Sequence, residues 1–143
     1  MAEGDGGVWM ILRHGQSGWE GVPVTNYKDE PGTWVGVSRR VFTEGLCCSF
    51  EARCFELSPG GFTSFERHRH THFVLVLSGS GRVRLGNEWH TIGPMDVVLV
   101  GPEQPHRFQN DGREPLRILC VVDRERDRPV LLDPDQASEA SNG

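Results

Sequence analysis

The sequence predicts an all-β fold that closes into a sandwich or barrel, and three observations carry that expectation. Eighteen glycines and nine prolines in 143 residues supply many turns. The runs between them are short, rich in Val, Leu and Phe, and several alternate apolar with polar residues in the two-residue period of a strand. No stretch sustains the apolar period of an amphipathic helix. The length suits one domain with a sizeable core.

Residues 1–34 hold Trp9, Trp19 and Trp34, but Gly and Pro break every periodic run there. An irregular N-terminal extension is therefore expected, packed on the core or against a second subunit. Strand-like text begins at residue 35. Segments 35–43, 47–57, 61–68, 72–79, 81–86, 88–92, 96–100, 106–110 and 116–122 each read as a strand bounded by turn residues. Within 50–57, Phe50, Ala52, Cys54 and Glu56 share one face and Glu51, Arg53, Phe55 and Leu57 the other. Neither face is purely apolar, so this strand is expected to wall a polar cavity. Phe50, Val74, Val76, Val98, Phe108 and Ile118 are expected to line the barrel. Arg82 and Arg84 alternate with Val83 and Leu85, which reads as an exposed hairpin face, and Asn110 suits a turn closed by side chain to backbone bonds. After Val122 the text becomes dense in charge and then in small polar residues, too poor in apolar surface to hold itself in place. The barrel is expected over 35–132 and a flexible tail over 133–143.

A formal net charge of −5 offers no basic face for phosphate backbones or anionic lipid, so neither nucleic acid nor membrane is expected as a partner. The chain has no apolar run of membrane-spanning length, and its N-terminus lacks the pattern of a signal peptide, so a cytoplasmic protein is expected. Cys47, Cys48, Cys54 and Cys120 sit in strand-like text without the CxxC spacing of a zinc or redox site, and are expected to be buried structural thiols.

Histidine is scarce, six in the whole chain, yet three fall at positions 68, 70 and 72 and a fourth, His106, follows a Pro-rich loop. His14 and His90 stand apart and read as surface residues. Imidazoles and carboxylates bind first-row divalent metals well, and rigid strands hold such ligands at fixed geometry with positions left open. Glu66, two residues before His68, adds a carboxylate to the same stretch. Arg53 and Glu56 could reach a cavity and orient an anionic substrate, though an ordinary surface pair explains them as well.

At these residues the chain resembles the cupins, small jelly-roll barrels (double-stranded β-helices) that usually hold a metal inside. The first cupin motif is G(X)5HXH(X)3-4E(X)6G. Gly60 followed by five residues places Glu66 at its first His, His68 at its second, His72 at its Glu and Gly79 at its last Gly, without a gap. The second motif, G(X)5PXG(X)2H(X)3N, matches at His106 and Asn110, while Met95, Gly101 and Glu103 replace its Gly, Pro and Gly. The resemblance covers residues 45–122 and implies a metal set of Glu66, His68, His72 and His106. In that arrangement Glu66 and His68 end one strand, residues 69–71 turn, and His72 opens the next. A rival alignment takes His68, His70, His72 and His106 instead; on one straight strand positions 68 and 72 would lie roughly 13 Å apart, so a bulge or turn would be needed. The gapless set is preferred, with His70 as a fifth ligand candidate or a proton-transfer group at the rim.

The resemblance implies a divalent transition metal, with iron or manganese expected and nickel, copper or zinc open. It further implies an enzyme acting on a small organic molecule, with an oxygenase first among the expectations and His70 or Glu66 as catalytic acid or base. A non-redox isomerase, cyclase or lyase, and a small-ligand-binding module without turnover, are the alternatives, since one fold hosts all three. A homodimer is also implied, with residues 1–34 suited to the contact.

Overall fold

The computed structural model describes residues 2–4, 7–27 and 33–135 and contains strands but no helix. Accordingly, no helix among the described residues is long and apolar enough to cross a membrane. In chain order the strands are β1 (Ala2–Gly4), β2 (Gly7–Trp9), β3 (His14–Gly15), β4 (Gly18–Trp19), β5 (Thr25–Asn26), β6 (Val35–Val41), β7 (Phe50–Phe62) and β8 (Glu66–Arg67). They continue as β9 (His72–Ser78), β10 (Gly81–Leu85), β11 (Glu88–Ile92), β12 (Val97–Val100), β13 (His106–Gln109), β14 (Leu116–Asp123) and β15 (Val130–Leu131).

Eleven of these form one curled antiparallel sheet whose main path runs β11-β10-β13-β7-β14-β9-β12, with β6 and β5 added beside β7, and β8 and β15 beside β13. The result is the barrel expected from the pattern of short alternating strands, in the jelly-roll form that the cupin resemblance implies. Alternation along β14 turns Leu116, Ile118, Cys120 and Val122 inward. Val74 and Val76 from β9, Val98 and Val100 from β12, Phe108 from β13, and Phe55 and Leu57 from β7 meet them in one core. Burying a side chain of this size removes enough apolar surface to contribute about 1.5–3 kcal/mol each, which is what holds so loop-rich a chain closed.

The segments expected at 47–57 and 61–68 merge in part, because β7 continues through Gly60 and Gly61 to Phe62. Gly60 sits at φ 83°, a left-handed conformation that lets the strand turn a corner. Before the corner β7 pairs with β14 (Leu57 opposite Leu116), and after it with β13 (Phe62 opposite Gln109). Asn110 closes this corner: its side-chain amide donates to the carbonyls of Leu57 and Glu114 at 2.9 and 2.8 Å, and its Oδ1 accepts from the Gly112 amide.

Three expectations need correction. Phe50 is 46% exposed, because the two-residue period that turns Phe55 and Leu57 inward turns Phe50 outward. Arg84 is buried rather than exposed: the segment after β15 crosses over it, Pro134 accepts from its Nη1 at 3.0 Å, and its guanidinium lies 4.1 Å from the Phe65 ring centroid. Cys54 and Cys120 are buried free thiols, with burial raising Cys54 to about 11, whereas Cys47 is exposed and Cys48 half-buried in the loop before β7.

The N-terminal residues pack against β6 and β7, in part from the cavity side. Trp19 meets Phe42 edge-on at 4.8 Å, and Tyr27 and Trp34 lie against Phe55. At the other end, Leu132 donates its amide to the Phe65 carbonyl at 2.8 Å, and residues 136–143 of the expected tail lie outside the described residues.

Candidate metal centre

The centre sits where the inward faces of the strands run out of apolar residues. His72 opens β9 on the face that continues into Val74 and Val76, and His106 opens β13 on the face that continues into Phe108. Glu66 in β8 pairs directly with His106, and His68 follows one residue after that short strand. Residues 69–71 then turn the chain back into β9, so three imidazoles from three chain segments meet.

The ligand atoms of His68, His72 and His106 all lie within 4.8 Å of one another. Two of the three rings have their tautomer set by the backbone. His68 donates from Nδ1 to the His70 carbonyl at 2.7 Å, and His106 donates from Nδ1 to the Gln104 carbonyl at 2.8 Å. Both Nε2 atoms are therefore bare lone pairs, and they face each other across 3.2 Å. Two lone pairs at that distance repel unless an electron-pair acceptor joins them. Burial, then the neighbouring His106 and His70, lower His68 to about 4. Burial likewise lowers His106 to about 4, and it pushes His72 far below the usual imidazole range. All three are thus neutral near pH 7, the form that ligates a metal. The donor set, its convergence and its fixed tautomers fit a divalent transition ion at His68, His72 and His106, with Nδ1–H to carbonyl bonds of the kind that orient metal-bound histidines.

Glu66 and His70, the other two candidates, hold different positions. Glu66 is buried and accepts a short hydrogen bond from the Ser64 hydroxyl, which in turn accepts from Trp34 Nε1 at 2.9 Å. It lines the space beside His72 but stands outside the converging group of three. The His70 ring stacks on His68 with centroids 3.8 Å apart and planes nearly parallel, and turns its Nδ1 to Asp127 Oδ1 at 2.8 Å. Asp127 also accepts the backbone amides of Arg69 at 2.9 Å and His70 at 3.1 Å. Those bonds, the Arg69 amide foremost, hold its carboxylate well below the ordinary range. This residue was missed in the sequence, where it lies in a charge-dense stretch with no motif around it.

Two spaces adjoin the centre. An outer cavity of about 390 Å3 is lined by Glu51, Arg53, Glu66, His70, His72, Asp127 and the arginines at 124, 126 and 128, among others. A small inner pocket of about 20 Å3 lies beneath His72 and His106 among Phe55, Phe108, Ile118 and Cys120, enough for about one water-sized group. Of the two readings left open for Arg53 and Glu56, Arg53 takes the cavity, whereas Glu56 points to the opposite side and pairs with Arg117 at 2.9 Å and Arg40 at 3.9 Å. His14 and His90 are exposed, away from the centre.

The barrel and its three inward histidines define a jelly-roll whose donor set fits a metal ion. The chain belongs to the cupin family, whose domain profile matches residues 53–122. It is 37% identical over 114 residues to the 1-methylthio-D-xylulose 5-phosphate methylsulfurylase of Rhodospirillum rubrum, a match covering 79% of this chain and 73% of that protein. The crystal structure of a cupin 2 conserved barrel domain protein from Rhodopseudomonas palustris superposes with a TM-score of 0.82 at 30% identity over 94% of each chain. A polyketide cyclase from Streptomyces resistomycificus superposes with a TM-score of 0.73 at 26% identity, covering 90% of this chain and 92% of that one.

Two of the three positions where this chain departs from the second cupin motif keep its backbone. Met95 at φ 72° and Glu103 at φ 63° are the non-glycine residues with positive φ among those described, and both stand where the motif has glycine. The Glu103 turn has a role in the centre, since its amide donates to the His68 carbonyl at 2.7 Å.

Proposed function

We propose that this cupin is a metal-dependent enzyme of the non-redox kind, an isomerase, cyclase or lyase that moves a proton on a small oxygenated molecule. One observation carries the reading: the His70 and Asp127 pair, 2.8 Å apart, shares a cavity wall with His72 of the metal set. His68, His72 and His106 would hold the ion, with iron or manganese first to test and nickel, copper and zinc after them. The bound ion would act as a Lewis acid on a substrate oxygen.

The rest of the chemistry belongs to the chain. Asp127 accepts the Nδ1 proton of His70, which leaves Nε2 as the basic atom and stabilises the imidazolium that forms when Nε2 takes a substrate proton. Glu66 lines the same cavity with one oxygen held by Ser64, so its other oxygen can accept a hydrogen bond from a substrate hydroxyl, while the proton taken by His70 Nε2 is the one given back to the neighbouring substrate atom. Trp34 and Tyr27 line the cavity as well and limit water around the reacting atoms. The names of two relatives, a methylsulfurylase and a cyclase, support this class over the oxygenase first expected.

The test is solvent exchange in deuterated buffer without oxygen. Metal-loaded protein should wash deuterium into the carbon next to the carbonyl of a small hydroxyketone, read by proton NMR. His70→Asn should slow that exchange at least ~100-fold with bound metal unchanged. Turnover that stops when oxygen is removed would return the oxygenase reading instead.

A further inference from the structure

The outer cavity carries a second device that the proton-transfer chemistry does not use. Four guanidinium groups, from Arg53, Arg124, Arg126 and Arg128, line it in a chain whose formal net charge is −5. Two of the three carboxylates there are already committed, and the third, Glu66, has one oxygen held by Ser64. Glu51 is shared, 3.5 Å from Arg53 Nε and 3.5 Å from Arg126 Nη2, so one carboxylate serves two cations. Asp127 is taken up by the turn at residues 69 and 70 and by the His70 ring.

The arginines differ in what they have left to give. Arg124 is tied to the carbonyls of Leu46 and Thr43, which hold its position without neutralising it. Arg53 is 4% exposed, and its Nε is buried with no hydrogen-bond partner despite the nearby Glu51. A buried donor of that kind stays unsatisfied unless something accepts from it. Arg128 is exposed on the rim, with no hydrogen bond or ion pair among the described residues.

The geometry points to an anion subsite in which Arg53, Arg126 and Arg128 hold the phosphate of a small phosphorylated substrate while its other end reaches His70 and the three-histidine centre. A phosphate monoester, with a charge near −2 and three terminal oxygens, matches several guanidinium forks better than a carboxylate with two. The cavity, at about 390 Å3, falls within the ~300–1,000 Å3 of small-molecule sites. The inference rests on the reading of this cavity as the substrate site.

Binding of D-ribulose 5-phosphate, D-ribulose and inorganic phosphate to the metal-loaded chain tests it, followed by calorimetry. The phosphorylated sugar should bind at least ~10-fold tighter than the free sugar, and inorganic phosphate should compete with it. Arg128→Gln and Arg126→Gln should each weaken the phosphorylated sugar ~10-fold or more and leave the free sugar unchanged. Both lie toward the rim, and circular dichroism and thermal melting would establish that they fold. Equal affinity for the two sugars, or a phosphate preference that survives both substitutions, overturns the subsite. Metal analysis of the same samples separates the two readings. Phosphate preference without bound metal sustains the subsite and removes the metal-centred function, while bound metal without phosphate preference does the reverse.

Discussion

His68 and His106 face each other with their Nε2 atoms 3.2 Å apart, each ring locked by an Nδ1–H bond to a backbone carbonyl. Neither nitrogen can donate to the other, so the pair is built to share a cation. Alanine at His68, His72 or His106 should lower bound metal at least ~100-fold, measured by elemental analysis after dialysis. Glu66→Gln and His70→Asn should retain stoichiometric metal, because those side chains are engaged by Ser64 and Asp127.

Asp127 acts on the same pair at one remove. It holds the His70 backbone, whose carbonyl orients His68. Asp127→Asn should therefore weaken metal binding ~10–100-fold, the usual effect of losing an outer partner of a metal ligand, with the fold intact by circular dichroism.

The depressed histidines set a pH window. His68 and His106 fall to about 4 from an ordinary 6.5, so in the folded chain protons compete with metal only as pH approaches 4. Metal affinity should stay nearly level from pH 8 to about 5.5, where free imidazole ligands already fail. For the metal-free chain the sign is the same. The unfolded state binds more protons below 6.5, so stability is full above that value and declines as pH falls toward 4. Melting temperature against pH, with and without metal, measures both.

The left-handed Met95 and Glu103 predict stabilisation by glycine. Met95→Gly and Glu103→Gly should each add about 0.5–1 kcal/mol by urea unfolding, since the Cβ clash is relieved at some cost in chain entropy. Glu103 gives up an exposed 3.5 Å pairing with Arg67 that contributes little. Gly79→Ala should do the opposite by several kcal/mol, because a Cβ there would stand 2.2 Å from the Pro115 carbonyl oxygen.

The homodimer expectation becomes concrete at the sheet edge. Strand β12 ends the main path with Val97 and Leu99 exposed, Leu99 by 68%, beside Phe73 of β9. The hairpin of β1 and β2 adds exposed Val8 and Trp9 outside that sheet. Sedimentation should give twice the 16.0 kDa chain mass at micromolar concentration, and Leu99→Glu should halve it.

By itself the sequence determined the strands and the neighbourhood of the centre. A strand reports itself through a period of two residues, and the spacing from Gly60 to Gly79 placed His68 and His72 on either side of a turn, all within one short stretch. Only the tertiary structure decided which groups share the cavity. The stretch after β14 curls back so that β15 pairs with β8, bringing Asp127 to His70 across 57 positions and Arg126 to Glu51. The same return covers Arg84, whose alternation with Val83 and Leu85 marks it as outward. Alternation tells which side of a strand a residue takes; it says nothing of what a distant segment later lays over that side, because pairing between strands depends on closure of the whole sheet.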